Sequence, residues 1–472
     1  MNKSNTSKDK NNLYKSVTES SVKHDEKKNL DAYGVKSGNI ISKEDDLNEH
    51  PYPPKDEIVA SRMPKEEAID TIRDNCKFKQ EYVDNHIILS VNHLKQYFKF
   101  GNGVSKFKLK AVHDVSFQIH EGECFGLVGE SGCGKTTTGR SIIRLYNITS
   151  GSIYYKGYRI GAGDRWNQKE IKYTKIRYVK KEKELKKLFS DGQISEKDYK
   201  EKLNKAKELK DNVITVQKAK IKQIHHDEKH VDKKLMSEIQ MIFQDPIDSL
   251  DPRMTVETII GEGLQIQGFH NKEENHKKVV EALEKVGLIE DYCSRYPHEF
   301  SGGQRQRIGI ARALVMNPKF LICDEPISAL DVSIRAQIIN LLNDLKDEMG
   351  LSLMFIAHDL SVVKYFCDRI AVMYFGELVE LATSDELFKH PLHPYTKSLL
   401  SAIPKPNPLT EKTRQRITYN PQECHDYSKE KPVLQEILPG HFILANTPEM
   451  AKYREEIKEL DIERHTKEDS NK

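Results

Sequence analysis

A glycine-rich loop followed by a lysine and a threonine is the first feature of this sequence that can do chemistry. Residues 129–136 read GESGCGKT and fit the pattern GxxxxGK[ST]. Glycines permit a tight loop whose backbone N–H groups, together with the start of the following helix, can surround phosphate oxygens. The predicted phosphate-binding residues are Gly129, Glu130, Ser131, Gly132, Cys133, Gly134, Lys135, Thr136 and Thr137.

Within this loop, two side chains have distinct predicted roles. Lys135 is placed to contact the β- and γ-phosphates of a nucleotide, and the Thr136 hydroxyl is placed to bind Mg²⁺. A chance glycine turn is the alternative. The apolar residues 124–128 before the loop and the helical pattern after it favour the phosphate site.

Two acidic residues end an apolar stretch, FLICDE, at 320–325. Asp324 suits a contact to Mg²⁺, either direct or through water. Glu325 suits a base that orients water against the γ-phosphate. A strand that ends in two solvated carboxylates is the simpler explanation, but the glycine loop elsewhere in the chain favours the catalytic one.

A second candidate anion site contains no lysine. Ser301, Gly302, Gly303 and Gln304 precede a segment with helical character. A serine cap and two glycines leave free amides at a helix N-terminus, where the helix dipole attracts negative charge. Taken alone, the segment is better explained as an ordinary capped helix start.

Alternating strands and helices must position these residues. The apolar and periodic patterns indicate strands and helices in alternation, which predicts an α/β fold with a mostly parallel sheet. The predicted strands are 87–91, 111–119, 124–128, 239–243, 320–323 and 353–357, and the predicted helices are 272–286, 304–315, 333–348 and 360–366.

Composition excludes several classes of protein. The 75 Lys and Arg nearly balance the 72 Asp and Glu, so net charge indicates no partner. Seven Cys without a CxxC pair argue against a disulfide framework and a zinc site. The N-terminus has no secretory apolar region, and no apolar run reaches the roughly 18 residues of a membrane helix. We therefore expect any membrane role to require a partner.

The chain divides into an α/β domain at 86–400 and two flanking segments. Residues 1–85 are polar and are predicted to be mostly disordered, although a short helix at 68–76 is compatible with their pattern. Residues 401–472 are predicted to form a C-terminal extension with few regular elements.

A basic segment at 165–235 interrupts the domain. Residues 169–234 contain 21 Lys and Arg against 12 Asp and Glu, a net charge of +9. Apolar residues recur there at helical spacing after a turn, and Ser195 with Asp198 can cap the second helix. The prediction is a basic helical hairpin. It is either a solvated insertion or a Lys-rich face near anionic lipid headgroups.

In their order along the chain, the motifs resemble the ATP-binding subunits of ABC transporters. The resemblance covers roughly 86–400 apart from the insert. It implies a P-loop NTPase core, an antiparallel β subdomain, and a helical subdomain that carries the signature residues 301–304. It also implies ATP and Mg²⁺ as cofactors.

The same resemblance assigns further residues. Gln244 is similar to the Q-loop glutamine, which contacts Mg²⁺ and takes part in catalysis, and His358 is similar to the switch histidine. Residues 328–331, which end in Asp331, are similar to the D-loop. Tyr97 is similar to the aromatic residue that stacks on adenine, with a core aromatic as the alternative.

A finer resemblance lies in the tail. Residues 390–397, HPLHPYTK, with AIP at 402–404, resemble the C-terminal motif of oligopeptide and dipeptide importers, and PGHF at 439–442 is similar to their F-type subunit. Many relatives carry a cysteine cluster for an iron–sulfur centre in this tail. Only Cys424 lies beyond Cys367 here, so no such cluster is expected.

The resemblance implies the ATP-hydrolysing subunit of a peptide importer, peripheral at the cytoplasmic face of the cell membrane. The implied partners are a second, D-type ATP-binding subunit, two membrane-spanning permease subunits and an extracytoplasmic peptide-binding protein. Ser301 and Gly303 then act on the partner subunit's nucleotide.

Three alternatives remain. Importers of nickel or other small solutes share this type of ATPase. A nucleic-acid-maintenance ATPase is disfavoured because the insert is short and precedes Gln244, so nucleic acid is not the expected partner. A non-hydrolysing regulatory subunit is disfavoured by the presence of both Glu325 and His358.

Overall fold

The computed structural model of the chain describes residues 40–41, 77–100, 107–403 and 416–470. The predicted disorder over most of 1–85 and the helix considered at 68–76 lie outside these residues. The described strands, in chain order, are β1 (Ile40–Ile41), β2 (Ile87–Phe100), β3 (Phe107–His120), β4 (Cys124–Val128), β5 (Ser150–Tyr155), β6 (Tyr158–Ala162), β7 (Ile239–Ile242), β8 (Phe320–Asp324), β9 (Ser352–Ala357), β10 (Arg369–Tyr374), β11 (Glu377–Thr383), β12 (Val433–Leu438) and β13 (His441–Ala445).

Helices flank these strands and fill the connections between them. Two short 3₁₀ helices, Glu290–Ser294 and Pro297–Glu299, accompany the α-helices. The described α-helices are α1 (Gln80–Asp84), α2 (Lys135–Ile142), α3 (Arg165–Ser190), α4 (Glu196–Lys229), α5 (Lys233–Ser237), α6 (Val256–Ile266), α7 (Lys272–Lys285), α8 (Gly302–Leu314), α9 (Val332–Met349), α10 (Leu360–Phe366), α11 (Ser384–Lys389), α12 (Pro394–Ser401), α13 (Pro421–Cys424) and α14 (Thr447–Ser470).

The central sheet has the order β12-β13-β11-β10-β4-β9-β8-β7. Its strands β10, β4, β9, β8 and β7 run parallel. Strands β4, β9, β8 and β10 are almost wholly buried, because other elements of the chain pack on both faces of the sheet. The predicted mostly parallel sheet is therefore confirmed. The P-loop follows β4 and the acidic pair ends β8, with only β9 between these two parallel strands, so both lie at the same edge of the sheet.

The C-terminal segment belongs to this central sheet. Strand β13 pairs antiparallel with β11, and β12 pairs with β13. Sequence analysis predicted neither strand. Strand β12 is only partly buried at the sheet edge and β13 has five residues, so neither gives a clear apolar pattern. The tail extends the core of the domain instead of following it as a loop.

A second, antiparallel sheet has the order β1-β3-β2-β5-β6 and forms the expected β subdomain. Its folded part begins before His86, the predicted start of the domain. Helix α1 precedes β2, and its Tyr82 is buried against Tyr154 with ring centroids 5.5 Å apart. The residues next to α1 are therefore part of this subdomain.

Helices α6, α7 and α8 form the expected helical subdomain between β7 and β8. Apolar residues on all three helices, among them Ile260, Leu283 and Ile308, are buried in one cluster with the central sheet. Thr255 caps α6 and Asn271 caps α7, so side-chain oxygens satisfy the first amides of both helices. This packing places the start of α8 and its signature residues at the subdomain surface.

The insert forms the predicted helical hairpin from α3 and α4. Asn167 and Gln217 hydrogen-bond across its base at 2.8 Å, and the rings of Phe189 and Tyr199 stack near its tip, 5.2 Å apart. The Ser195 side chain accepts a hydrogen bond from the Asp198 N–H, which confirms the predicted cap of α4. An ion pair between two further buried residues, Arg159 of β6 and Asp227 of α4, anchors the base to the β subdomain.

Candidate functional site

The P-loop leaves β4 and enters α2. Gly134 adopts φ +107°, and a Cβ atom there would lie 2.3 Å from the Ala111 carbonyl oxygen, so only glycine fits. Ser131 and Gly132 are exposed at the tip, and Thr137 lies in the first turn of α2. The loop therefore places backbone amides at the start of a helix, with an exposed tip, as a phosphate site requires.

The ammonium of Lys135 is buried inside this loop. Its Nζ donates hydrogen bonds to the carbonyl oxygens of Gly129 at 2.7 Å and Glu130 at 2.9 Å. The Cys133 sulfur lies 3.8 Å from the same nitrogen. Burial raises the pKa of the Cys133 thiol, which therefore stays protonated and adds no competing charge. The lysine is held at the phosphate position by the loop itself.

Thr136 and Asp324 face each other across the strand ends. The Thr136 hydroxyl donates a hydrogen bond to Asp324 Oδ1 at 2.8 Å. Asp324 is 0% exposed, and its Oδ2 has no hydrogen-bond partner among the described residues. Burial raises the pKa of this carboxyl group, although the Thr136 hydrogen bond opposes the shift. A buried carboxylate with one unmatched oxygen beside a hydroxyl fits a divalent cation with oxygen ligands.

Glu325 is the centre of a polar cluster. Its Oε1 lies 4.0 Å from Lys135 Nζ, while its Oε2 accepts a hydrogen bond from Gln244 Nε2 at 3.1 Å and lies 3.3 Å from His358 Nδ1. The backbone of Glu325 adopts φ +44°, a left-handed conformation that is uncommon for residues other than glycine. Lys135, Gln244 and His358, from three separate segments, thus converge on the carboxylate of Glu325.

The signature residues lie apart from this cluster. Ser301 caps α8 by accepting a hydrogen bond from the Gln304 N–H, and the Gln304 side chain accepts one from the Ser301 N–H. Gly303 is required because Ile334 of α9 would lie 2.8 Å from a Cβ atom there. The cap engages the N–H groups of Ser301 and Gln304, so the amides left for a ligand outside the chain are those of Gly302 and Gly303, next to the exposed Ser301.

Asp331 ends the predicted D-loop and stands just before α9, exposed on the surface. Its carbonyl oxygen accepts a hydrogen bond from the Arg335 N–H at 2.9 Å, which fixes the turn into α9. The next residue, Val332, is 81% exposed. Asp331 and the signature residues Ser301 and Gly302 therefore all occupy exposed positions.

Tyr97 is less accessible than its predicted role requires. Its ring is only 6% exposed, and its hydroxyl lies 2.5 Å from His113 Nδ1. The guanidinium carbon of Arg165, the first residue of α3, stands 4.7 Å from the ring centroid. Stacking of adenine on Tyr97 stays a prediction, and it requires the Arg165 side chain to move away from the ring face that it now covers.

One contact to the P-loop escaped sequence analysis. The Tyr395 hydroxyl, in α12, accepts a hydrogen bond from the Glu130 N–H at 2.9 Å. The motif around Tyr395 is recognisable in the sequence, but nothing in the sequence indicates that Tyr395 contacts the distant P-loop. Only the fold brings the two together.

A family profile described as "ABC transporter" matches residues 112–223 and 209–328. A second profile, "Oligopeptide/dipeptide transporter, C-terminal region", matches residues 379–432. The two profiles cover the P-loop, the signature and acidic residues, and the motif around Tyr395.

Among curated proteins, the chain is 46% identical over 367 residues to "Oligopeptide transport ATP-binding protein OppF" of Bacillus subtilis, covering 78% of this chain and 98% of that protein. It is 45% identical to the protein of the same name from Streptococcus pyogenes, covering 76% and 95%. It is also 45% identical to "Oligopeptide transport ATP-binding protein AmiF" of Streptococcus pneumoniae, covering 75% and 94%.

Proposed function

This chain belongs to the ATP-binding proteins of ABC transporters, in the group that includes the oligopeptide-transport ATP-binding proteins, and we propose that it hydrolyses ATP to energise import of oligopeptides or dipeptides. The observation that supports this most directly is the convergence on Glu325. Its carboxylate lies beside Lys135 and contacts Gln244 and His358. A base that stands next to the γ-phosphate position is what ATP hydrolysis needs.

Each residue of the site has a proposed role. Lys135 exchanges its contacts to the loop carbonyls for contacts to the β- and γ-phosphates. Gln244 and His358 hold the Glu325 carboxylate, which orients the attacking water and accepts its proton. The left-handed backbone at Glu325 keeps the carboxylate in place between them.

Thr136, Asp324 and Gln244 are the residues that would hold Mg²⁺. When bound, the ion neutralises phosphate charge. The buried Asp324, with its unmatched Oδ2, is the part of the chain that best fits this role. Exclusion of water by the surrounding strands strengthens its attraction for a cation.

The exposed signature residues support a shared nucleotide site. We infer that two ATP-binding subunits meet head to tail, so that Ser301, Gly302, Gly303 and Gln304 contact the nucleotide on the other subunit's P-loop. The capped, lysine-free start of α8 can bind the phosphate of a second molecule, and Asp331 lies at an exposed position as well.

The remaining partners follow from the same proposal. They are a D-type ATP-binding subunit, two membrane-spanning permease subunits and an extracytoplasmic peptide-binding protein. No helix among residues 77–100, 107–403 and 416–470 is long and apolar enough to cross a membrane. The proposed position is peripheral, at the cytoplasmic face of the cell membrane.

Isolation of the chain with its native partners tests this function. Affinity purification from gently solubilised membranes is expected to recover a second ATP-binding protein and two integral membrane proteins. Cells that carry Lys135→Ala are expected to lose uptake of labelled oligopeptides while keeping uptake of a labelled free amino acid. Loss of nickel uptake with intact peptide uptake would favour a metal importer, and co-purification with nucleic acid alone would refute the proposal.

A further inference from the structure

The part of the chain that follows β10, called the C-terminal region below, reaches the P-loop through a buried tyrosine. Tyr395 is 1% exposed, and its hydroxyl oxygen accepts the Glu130 N–H at 2.9 Å. The carbonyl oxygen of the same Glu130 accepts a hydrogen bond from Lys135 Nζ, also at 2.9 Å. A single residue of the loop therefore connects Tyr395 with the lysine that is proposed to bind phosphate.

Aromatic neighbours fix the ring of Tyr395. Its centroid lies 4.4 Å from that of Tyr374, at the end of β10, and 5.5 Å from that of Tyr419. Tyr374 and Tyr419 also contact each other edge to face, 5.0 Å apart. A buried ring between two others has little rotational freedom, so the position of its hydroxyl is set by packing.

Hydrogen bonds fix the backbone that carries the ring. The carboxylate of Glu380, 0% exposed, accepts the N–H groups of Leu392 at 2.9 Å and His393 at 3.1 Å. His393 Nδ1 accepts the Tyr395 N–H at 3.2 Å. Burial lowers the pKa of His393 to about 3, so its ring is neutral and Nδ1 keeps the lone pair that the contact needs.

A second link joins the same region to the loop. The N–H of Gly376, in the turn between β10 and β11, donates a hydrogen bond to the Cys133 carbonyl oxygen at 2.9 Å. The P-loop is thus held from the outside at two positions, by Tyr395 at Glu130 and by Gly376 at Cys133. Both contacts come from the part of the chain that follows β10.

We propose that Tyr395 is a positioning residue for nucleotide binding. Its hydroxyl holds the first turn of the P-loop in the shape that receives phosphate, which makes the C-terminal region part of the ATP site. The inference rests on the proposed function in that the ligand is ATP. A loop that is ordered beforehand binds its ligand more tightly, because binding does not have to order it.

A purely structural role is the competing explanation, since a buried tyrosine also contributes to the core. Tyr395→Phe separates the two, because it keeps the ring in the cluster and removes only the oxygen that accepts the Glu130 N–H. Tyr419→Phe is the matched control. It lies in the same cluster, and its hydroxyl makes no hydrogen bond within the described residues.

The experiment uses the full chain, with a fluorescent ATP analogue for affinity and phosphate release for turnover. Tyr395→Phe is expected to raise the Kd and KM for ATP by about two- to tenfold, the effect of one hydrogen bond, with kcat within about twofold. Hydrogen exchange in a peptide spanning 127–134 is expected to become faster. Tyr419→Phe is expected to leave the Kd, the KM, the kcat and the exchange rate unchanged.

The outcomes divide clearly. Unchanged KM and exchange in Tyr395→Phe overturn the inference, and so does an equal effect of Tyr419→Phe. If Tyr395→Phe also lowers the melting temperature, the pattern of hydrogen exchange along the chain separates the two roles. Faster exchange confined to residues 127–134 supports the inference, and uniformly faster exchange overturns it. Failure of the proposed function is distinct, because wild type would then bind ATP no better than Lys135→Ala.

Discussion

Neutralising Glu325 separates ATP binding from ATP hydrolysis. In Glu325→Gln, the side chain keeps its size and an oxygen that can accept from Gln244 Nε2, which lies 3.1 Å from the wild-type carboxylate. The variant is therefore expected to fold normally. It loses the ability to accept a proton from water, and loss of a general base typically lowers kcat by about 10²–10⁴-fold, or roughly 3–5 kcal/mol in the barrier.

The same change is expected to tighten ATP binding. Glu325 Oε1 lies 4.0 Å from Lys135 Nζ, so the carboxylate attracts the lysine that phosphate must engage and repels the phosphate itself. Two unit charges at this distance interact by about 1 kcal/mol in water and about 4 kcal/mol at the dielectric of a protein surface. Removal of the charge is expected to lower the Kd for ATP by about fivefold or more.

Both quantities are measurable on the purified chain and its assembled complex, by titration with a fluorescent ATP analogue and by phosphate release. Glu348→Gln is a suitable control, because it removes a negative charge from an exposed position near the end of α9, outside the predicted site residues. Hydrolysis by Glu325→Gln within about threefold of wild type would refute the role of base. Weaker ATP binding would refute the electrostatic reasoning.

Three further predictions concern the rest of the molecule. Ser301→Arg is expected to leave the Kd of the isolated chain for ATP nearly unchanged but to impair hydrolysis in the assembled transporter; an affinity loss as large as that of Lys135→Ala would contradict a shared site. Replacing residues 181–207 with a short Gly/Ser turn keeps the anchored base of the hairpin, so ATPase activity in solution is expected to persist, and loss of that activity would make the insert part of the core. Sedimentation of the intact and shortened chains with neutral and anionic vesicles, at low and high salt, tests whether the Lys-rich face of the hairpin binds anionic lipid. Burial lowers the pKa of His441, but hydrogen bonds and charge interactions with Glu380 and Glu386 raise it overall, so the stabilising effect of its protonation is present below the unfolded pKa of about 6.5 and is lost as pH rises through the folded pKa. In urea unfolding, the difference in the free energy of unfolding between wild type and His441→Gln is therefore expected to shrink with rising pH. A difference that grows with pH would contradict the assignment.

The sequence by itself determined the local chemistry and the centre of the fold. The P-loop at 129–136 is contiguous because a single turn of backbone has to surround a phosphate, so its pattern is readable without a structure. The same holds for the acidic pair 324–325, which follows a buried strand. The predicted strand 124–128 and helix 360–366 agree with β4 and α10, because continuous apolar runs and clear helical periods leave few other solutions.

Patterns were weaker where burial is partial or where elements are short. The helix Gln80–Asp84 and the strand Val433–Leu438 were not predicted, because each contains few core residues. The strand His441–Ala445 was not predicted either, although three of its five residues are buried. Their positions depend on pairing with distant strands, such as β13 with β11. That pairing is a property of the assembled sheet and has no local signature.

Only the tertiary structure decided which distant residues meet. Gln244 and Glu325, 81 residues apart, share a hydrogen bond because the strands before them end at one edge of the sheet. Tyr395 reaches Glu130 across 265 residues because β10 and β11 return the chain to the side of the P-loop. Arg165 covers Tyr97 because the insert begins beside the antiparallel sheet. Sequence spacing fixes contacts along one helix or strand, whereas contacts between elements depend on how their apolar faces pack.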